Sequence, residues 1–394
     1  MRSLLTILLG AGMLVQTPAP PEGWRTVEQF HRDHVRSAGI VGSSLMLMRD
    51  GAVVAAATVG NQQEGGPPVD ADTIYHWASI TKTFTGIAIM QLRDRGLLSL
   101  DDPVVKYVPE FRRAHNPYGD ISQVTIRHMM THSSGLRAGT WPWGGDKPWQ
   151  PFEPTSWDQL VAMLPYTELM FAPGTKYSYS NPGVIFLGRI IQELTGDDYE
   201  VYITKNILMP LGMRSTFFDR APYYLLPHRS HSYFVTDAGR TEGRFDFDTG
   251  ITVSNGGLNS PFGDMAKYLA FLAGDAVKRA TYGVVLKRSS LEEMWKPQIP
   301  ASEGEGGGVG VQMGLSFFIE QRGGLELVAH SGGQNGFISH FYLHRPSRTA
   351  YLVSFNTDVA PSKKDPSRMT TRRLDAELRD VIVREVFAKA TGSR

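Results

Sequence analysis

One predicted helix with a polar start constrains the fold of this chain more than any other stretch. A helix is predicted from Ser79 onward, and the mostly apolar residues 83–92 indicate by their spacing that it is buried in a core. Ser79 and Lys82 precede this run, and a separation of three residues places both side chains on one helical face. Two polar side chains at the start of a buried helix need a specific reason to be there.

Serine chemistry supplies such a reason. A serine becomes a nucleophile when a nearby base accepts its proton, and a desolvated lysine can act as that base. The free N–H groups and the dipole at a helix start also favour negative charge. The alternative is a helix-capping serine followed by a solvated lysine, and for an isolated Ser-x-x-Lys motif that alternative is the commoner one.

Two further motifs follow along the chain, each in a fitting structural context. Tyr179-Ser180-Asn181 lies between an extended 176–178 and a helix that opens at Pro182, and His330-Ser331-Gly332-Gly333 ends a strand-like 325–329. In type and order, the three motifs resemble those of the serine β-lactamase and penicillin-binding-protein superfamily. The Tyr-x-Asn form resembles the branch of class C β-lactamases, D-aminopeptidases, DD-carboxypeptidases and family VIII esterases. The resemblance covers roughly residues 25–385 as one unit.

The resemblance implies a role for each residue of the first two motifs. Ser79 is expected to be the acylated nucleophile, and Lys82 to lower the cost of removing its proton. Tyr179 is expected to relay protons or to activate the deacylating water, while Asn181 orients Lys82 and binds the substrate carbonyl or amide. The structural alternatives are a buried aromatic with a satisfied hydroxyl for Tyr179, and the N-cap of the next helix for Asn181. Asn181 can also serve as both.

The third motif is implied to bind the reacting group of the substrate. The backbone N–H groups of Ser79 and Gly333 are expected to form the oxyanion hole. His330, Ser331 and Gly332 are expected to contact the substrate, since a side chain at position 332 or 333 would block access to the strand edge. A β-bulge is the structural alternative for the glycine pair.

The first residue of the third motif departs from the usual family pattern. β-Lactamases usually carry lysine there, which helps to hold the substrate carboxylate, whereas this chain carries His330. A histidine with the ordinary pKa of ~6.5 is mostly neutral at pH 7. The departure predicts weak recognition of β-lactams and favours esterase, amidase or peptidase activity. Protonation of His330 at about pH 5.5–6 is expected to restore part of that recognition.

The segment 140–157 is rich in tryptophan and proline. It carries four of the seven tryptophans of the chain, including Trp141 and Trp143. These side chains predict an aromatic wall over the groove that accepts acyl or aryl groups of the substrate. The alternative is a loop that packs onto its own lobe.

The order of the predicted elements indicates an α+β fold. Strand patterns occupy both ends of the chain and helical patterns the middle, so the two ends share one sheet with a helical lobe inserted. The resemblance implies the same β-lactamase/transpeptidase-like architecture, an antiparallel sheet flanked by terminal helices beside an all-α lobe. We assign the α/β lobe to about residues 20–100 and 275–394 and the helical lobe to about 101–274, within one catalytic domain 20–394.

Periodicity and turn residues predict the individual elements. Strands are expected at 43–48, 52–59, 314–319, 325–329, 336–343 and 350–355, with an Asp50-Gly51 turn between the first two. Helices are expected at 27–37, 126–131, 156–164, 182–194, 199–208, 261–272 and 374–388, with Ser260 as the N-cap of the sixth.

Residues 1–19 are predicted to form a secretory signal peptide. Met1-Arg2 supplies a basic start, and residues 4–15 form an apolar run that is too short for a comfortable membrane span. An uncleaved anchor is the alternative. We expect a periplasmic or secreted protein with no other membrane association. The sequence has no cysteine, which excludes disulfides and a lipoprotein attachment site.

Composition and motifs exclude several other classes of protein. The net charge is +1, so no nucleic-acid surface is expected. The sequence has no phosphate loop, dinucleotide fingerprint or zinc helix, and no cofactor or metal is expected. His128 and His132 are interpreted as packing or loop-anchoring residues. One basic cluster is assigned to a solvated loop before the last helix: Lys363, Lys364, Arg368, Arg372 and Arg373.

The residues together predict an exported serine hydrolase that forms an acyl-enzyme on Ser79. The expected partner is a small acyl ester, amide or peptide substrate. Alternatives within the family are a class C-like β-lactamase and a D-aminopeptidase or DD-carboxypeptidase. An alternative of another kind is a penicillin-binding sensor or scaffold that acylates without turnover, although Tyr179 argues against it. The sequence leaves the oligomeric state open.

Overall fold

The structure is a computed structural model that describes residues 20–139, 154–275, 277–302 and 307–392. The predicted signal peptide, 1–19, lies outside the described residues. Trp141 and Trp143 lie outside them as well, so the predicted aromatic wall stays a prediction. Within the described residues, no helix has the length and apolar character that a membrane crossing requires.

An eight-stranded antiparallel sheet forms the centre of the molecule. It joins strands from both ends of the chain, because Ser43 near the N-terminus pairs with Phe355 near the C-terminus. The Asp50-Gly51 turn joins the first two strands as predicted, with positive φ at both residues. The order across the sheet is Ala52–Gly60, Gly42–Arg49, Thr349–Phe355, Phe337–His344, Leu325–Gln334, Phe318–Arg322, Val311–Met313 and Ile299–Pro300.

Helices cover both faces of this sheet, and each face has its own apolar core. The terminal helices Trp24–Ser37 and Thr371–Ile382 pack on one face, where Val27 and Leu374 join sheet residues in one cluster. The last helix continues through Val383–Phe387 and Ala388–Gly392. Helices Thr81–Asp94 and Phe262–Ala273 belong to the cluster on the other face. This arrangement confirms the predicted antiparallel sheet with flanking terminal helices.

The inserted segment is mainly helical, as predicted, although it also contains short strands. Phe217–Phe218 and Leu258–Pro261 form a small sheet with Ile74–His76, while Tyr233–Thr236 and Gly239–Glu242 form another with Thr357–Val359. These pairings tie the inserted segment to both flanking parts of the chain. Besides Phe262–Ala273, its described α-helices are Ile126–Met130, Trp157–Met163, Asn181–Thr195, Tyr199–Ile203, Met209–Leu211 and Val253–Gly256, with Arg279–Val285 and Arg288–Met294 following the insertion.

Three local predictions need correction. Ser260 is not an N-cap, because it lies in the strand Leu258–Pro261 and its hydroxyl pairs with Thr216. The predicted strand 314–319 is two strands, Val311–Met313 and Phe318–Arg322, joined through a corner at which Ser316 has a φ of 62°. The strand predicted at 325–329 continues to Gln334 and contains the third motif instead of preceding it.

Candidate active site

Ser79 lies at the turn that leads into the helix Thr81–Asp94. It occupies a short 3₁₀ turn, Ala78–Ile80, so the α-helix begins two residues later than the sequence predicted. Ala78 has a φ of 46°, which is uncommon for a residue with a side chain. The buried turn holds this conformation, and Ser79 stays half-exposed while both of its neighbours are buried.

Lys82 is buried directly beside the serine. Its Nζ donates to Ser79 Oγ at 3.0 Å and to the backbone carbonyl of Asn255 at 2.8 Å. Only 1% of Lys82 is exposed, so the alternative of a solvated lysine is wrong. Neither the 3₁₀ turn nor the helix that follows has a side-chain cap, so Ser79 is not a helix cap either. The sequence could not indicate Asn255, since a backbone carbonyl has no residue-type signal.

Tyr179 packs against the lysine. Lys82 Nζ lies 4.9 Å from the centroid of the Tyr179 ring, and 5% of Tyr179 is exposed. Asn181 follows at the first position of the helix Asn181–Thr195, where it is half-buried. The N-cap of this helix is Ser180, whose side chain accepts from the N–H of Gly183 at 3.1 Å. The capping alternative for Asn181 is therefore wrong, because the residue before it has that position.

His132 is a neighbour whose connection to the site the sequence did not reveal. Its Nδ1 accepts from the backbone N–H of Ser180 at 3.1 Å, and its ring centroid lies 4.4 Å from that of Tyr179. Burial, with the charge of Lys82, holds its pKa well below the ordinary value, so the ring is neutral. His128 likewise accepts from the N–H of Thr125 at 3.2 Å. The contact of His132 confirms the loop-anchoring interpretation, whereas His128 completes the capping box of the helix Ile126–Met130.

The third motif lies in the half of its strand that has one open edge. In Leu325–Gln334, residues 325–329 pair with the strand Phe318–Arg322, whereas residues 330–334 have Phe337–His344 as their one partner among the described strands. A Cβ atom on Gly332 would lie 2.2 Å from the Trp77 carbonyl oxygen, so glycine is needed there for the strand to approach the Ser79 turn. Gly332 and Gly333 thus lie in a regular ladder, which excludes the bulge alternative.

His330 is a buried, neutral side chain. It is 1% exposed, and its Nδ1 donates to the backbone oxygen of Ser331 at 2.8 Å. Burial, together with the charge of Lys82, lowers the pKa of His330 to about 3. The expectation that His330 becomes protonated at about pH 5.5–6 is therefore wrong, since that expectation used the pKa of an exposed histidine.

One cavity of about 550 Å³ connects the three motifs, and Ser79, Tyr179 and residues 330–333 line it. It continues to Arg372, whose guanidinium lies 3.2 Å from the position that a Cβ atom on Gly333 would occupy. Arg372 and Arg373 belong to the helix Thr371–Ile382, so their assignment to a loop is corrected. Among the described residues, no group of histidine and acidic side chains could hold a metal ion.

The fold and this serine–lysine–tyrosine cluster correspond to one known family of proteins. The chain belongs to the Beta-lactamase family, whose model matches residues 27–374. It is 26% identical over 356 residues to Beta-lactamase-like protein 2 of Dictyostelium discoideum, over 86% of this chain and 60% of that protein. It is also 31% identical over 194 residues to esterase EstB of Burkholderia gladioli, over 47% of this chain and 48% of that enzyme.

A solved structure shows the same fold. The octameric penicillin-binding protein homologue from Pyrococcus abyssi superposes with a TM-score of 0.74 at 27% identity, over 93% of this chain and 77% of that one. The chain matches 60% or less of the length of the two curated relatives. The matches identify the family and the fold, while the activity, the substrate and the reaction belong to the proposal that follows.

Proposed function

We propose that this protein is a serine hydrolase that forms an acyl-enzyme on Ser79 and prefers uncharged acyl esters or amides. The observation that carries the proposal is the 3.0 Å hydrogen bond between Lys82 Nζ and Ser79 Oγ inside a buried site. A buried amine next to a serine hydroxyl is the arrangement that activates the hydroxyl as a nucleophile. The buried ring of Tyr179 beside Lys82 supports complete turnover over acylation alone.

The proposed reaction has two steps. Ser79 Oγ attacks the carbonyl carbon, and its proton passes through Lys82 and Tyr179 to the leaving alcohol or amine. The backbone N–H groups of Ser79 and Gly333 stabilise the negative oxygen of the tetrahedral intermediate. Water then attacks the acyl-enzyme, with Tyr179 accepting its proton, and Ser79 Oγ recovers a proton as the acid leaves. Asn181 is proposed to bind the substrate carbonyl or amide beside Lys82.

The preference for uncharged substrates follows from His330. A neutral imidazole at the first position of the third motif offers no charge to a substrate carboxylate, so an ester loses nothing by its presence. The similarity to an enzyme named as an esterase supports the same substrate class. The segment with Trp141 and Trp143 is proposed to contact the acyl or aryl group.

Hydrolysis of β-lactams is the second candidate, and Arg372 favours it. This residue places a guanidinium at the same cavity, beside Gly333, where it can attract a carboxylate. Arg372→Ala should then lower kcat/KM for a cephalosporin and leave that for a neutral p-nitrophenyl ester unchanged. Arg373→Ala is the matched control, because Arg373 is bound to Glu377 at 2.7 Å. Equal losses on both substrates would argue against carboxylate binding by Arg372.

Covalent labelling tests the nucleophile. The purified protein is treated with a fluorophosphonate probe, and the modified peptide is identified by mass spectrometry. We expect one adduct on Ser79, none in Ser79→Ala, and loss of ester hydrolysis in that variant. An adduct on another residue would contradict the proposal. A burst of product without steady turnover would instead indicate the acylating sensor.

Export is a separate part of the proposal. It rests on the basic start and the short apolar run within residues 1–19. N-terminal sequencing of the protein from its native host should give a mature chain that begins near residue 20. Protein that retains Met1 in the cytosol would contradict export and leave the proposed chemistry untouched.

A further inference from the structure

A buried hydrogen-bond chain lies behind the proposed oxyanion hole. His76 ends the short strand Ile74–His76 and is 1% exposed. Its Nδ1 lies 2.9 Å from Asn259 Oδ1, and its Nε2 lies 3.0 Å from Gln334 Oε1. Gln334 immediately follows Gly333 in the third-motif strand. His76 therefore connects the segment that carries Ser79 to the strand that carries the proposed oxyanion donor.

The direction of each hydrogen bond in this chain can be assigned. Asn259 Nδ2 donates to the carbonyls of Asp219 and Gly257, and Asn259 Oδ1 accepts from Arg229 at 2.6 Å, which fixes the orientation of this amide. His76 Nδ1 must then be the donor to Asn259 Oδ1. Burial lowers the pKa of His76 to about 4, so the ring is neutral and its Nε2 is an acceptor.

An accepting Nε2 needs a donor on the opposite side. Gln334 presents Oε1 to Nε2 at 3.0 Å, and a half-turn of its side-chain amide exchanges this oxygen with the NH₂ group. We assign the NH₂ group to the position that faces His76, because that orientation supplies the donor. In this assignment Arg229 and His76 both donate to Asn259, and Gln334 donates to His76. Every polar atom of the imidazole is used, and the bond to Gln334 is specific for the neutral ring.

A second contact joins the same two segments. The Trp77 carbonyl oxygen lies against Gly332, where a Cβ atom would be only 2.2 Å away. Gly333 therefore lies between two contacts with this segment, the close approach of Gly332 to Trp77 and the hydrogen bond of Gln334 to His76. Among the described strands, residues 330–334 have no ladder partner on their open edge.

We propose that His76 is a positioning residue, whose bond to Gln334 holds the N–H of Gly333 at the distance from the Ser79 N–H that the oxyanion requires. This inference rests on the proposed function, because it assumes that these two N–H groups receive the substrate oxygen. His76 touches no reacting atom. It acts through Gln334, and its loss misplaces a donor without removing it.

Two substitutions of His76 separate its two hydrogen bonds. In His76→Gln the longer side chain brings an amide to the position of Nε2, whose oxygen can accept from Gln334. In His76→Asn the amide reaches only the position of Nδ1 and keeps only the bond to Asn259. We expect kcat for a p-nitrophenyl ester to fall by about 10–100-fold in His76→Asn, with KM little changed, because a small misplacement of a catalytic group has effects of that order. His76→Gln should stay within about threefold of the wild type.

Gln334→Leu removes the other partner of the same bond. It should reproduce the kcat loss of His76→Asn, and the double variant should be no slower than either single variant, because both remove one interaction. Affinity for an aryl boronic acid, which mimics the tetrahedral intermediate, should fall in parallel with kcat. A residue that only supports the fold would lower thermal stability without this parallel loss.

The control is His344, a buried histidine at the far end of the neighbouring strand Phe337–His344. Its Nδ1 bonds the hydroxyl of Ser347 at 2.7 Å, so His344→Leu removes a comparable buried hydrogen bond away from Ser79. We expect wild-type kcat for this variant. If His76→Asn does not fold, the half-buried Gln334 still allows the test through Gln334→Leu.

The positioning role would be overturned if His76→Asn and Gln334→Leu both kept the wild-type kcat and boronate affinity. The proposed function would remain intact as long as fluorophosphonate still labels Ser79. Absence of labelling at Ser79 in the wild type would overturn both. Equal kcat in His76→Asn and His76→Gln would also contradict the role assigned to Nε2.

Discussion

In the proposed function, the imidazole of His330 would determine which charge the substrate meets at the third motif. Its pKa of about 3 keeps it neutral throughout the range in which such an enzyme is assayed. The ratio of ester to cephalosporin kcat/KM should therefore stay constant between about pH 7.5 and 5.5, well above that pKa. A ratio that falls on acidification would show that His330 takes up a proton in this range.

Replacement of His330 by lysine should change that ratio. A cation at this position adds a charge-assisted hydrogen bond to a substrate carboxylate, worth about 1.5–3 kcal/mol. His330→Lys should thus raise kcat/KM for a cephalosporin relative to the ester by roughly 10–100-fold. Steady-state kinetics on both substrates at pH 7.5 measures the change. A variant with an unaltered ratio would mean that the carboxylate does not reach position 330.

Removal of the Tyr179 hydroxyl is expected to have a defined effect on kcat. Tyr179→Phe should lower kcat by about 10²–10⁴, the usual range for a lost acid–base group, while the ring keeps its packing against His132. Tyr177→Phe is the matched control, because Tyr177 lies two residues earlier and its ring packs on Phe318. Thermal unfolding of both variants should stay close to the wild type. Near-normal kcat in Tyr179→Phe would reduce Tyr179 to a packing residue.

Among the elements, the third-motif strand has the strictest steric requirement. Gly332 lies against the Trp77 carbonyl, and a methyl group there would be 2.2 Å from that oxygen. Gly332→Ala should push the strand away from the Ser79 turn and abolish most ester hydrolysis. Gly324→Ala at the other end of the same hairpin has open space around its Cβ position, although its φ of 77° adds strain. Comparable activity losses in the two variants would argue against the steric explanation.

The local sequence pattern was sufficient to predict those helices and strands whose signal lies in residues that are close together in the chain. The short apolar run in 350–355 and the apolar spacing in 83–92 identified a strand and a helix, since both signals lie within a few residues. The Ser79–Lys82 pair was predictable for the same reason. The contacts of Lys82 with Asn255 and of Ser180 with His132 join positions far apart in the chain, so no local pattern could indicate them. Ser260 illustrates the opposite error, where tertiary strand pairing overrode a local capping preference.

Across the whole molecule, buried histidines should make stability depend on pH. Five of them have pKa values that burial lowers far below the ordinary ~6.5: His31, His76, His132, His330 and His340. Below pH ~6.5 the unfolded chain binds protons that the folded chain does not, so stability falls as pH decreases from there. Asp219 has the opposite effect on stability. Burial raises its pKa to about 6, so below that pH the folded chain binds a proton that the unfolded chain does not yet bind.

Each histidine can contribute up to about 1.4 kcal/mol per pH unit in this range. The midpoint of urea unfolding should therefore fall clearly between about pH 7.5 and 5. His340→Gln should make the dependence shallower by up to one proton, because it removes one of the five groups. A midpoint that does not change over this range would contradict the neutral, buried state of these rings.

The central sheet joins strands from both ends of the chain, and this has a consequence during translation. The N–H of Gly42 donates to the side chain of Asn356, 314 residues further along, and the strand Gly42–Arg49 has its second neighbour only in Thr349–Phe355. At ribosomal rates of about 5–20 residues per second, the first hairpin waits roughly 15–60 s for that neighbour to be made. Throughout this interval the open edge of Gly42–Arg49 can pair with other chains. Translation and tertiary folding are thus separate events, and a chaperone that covers this edge would act on the nascent chain before the last strands exist.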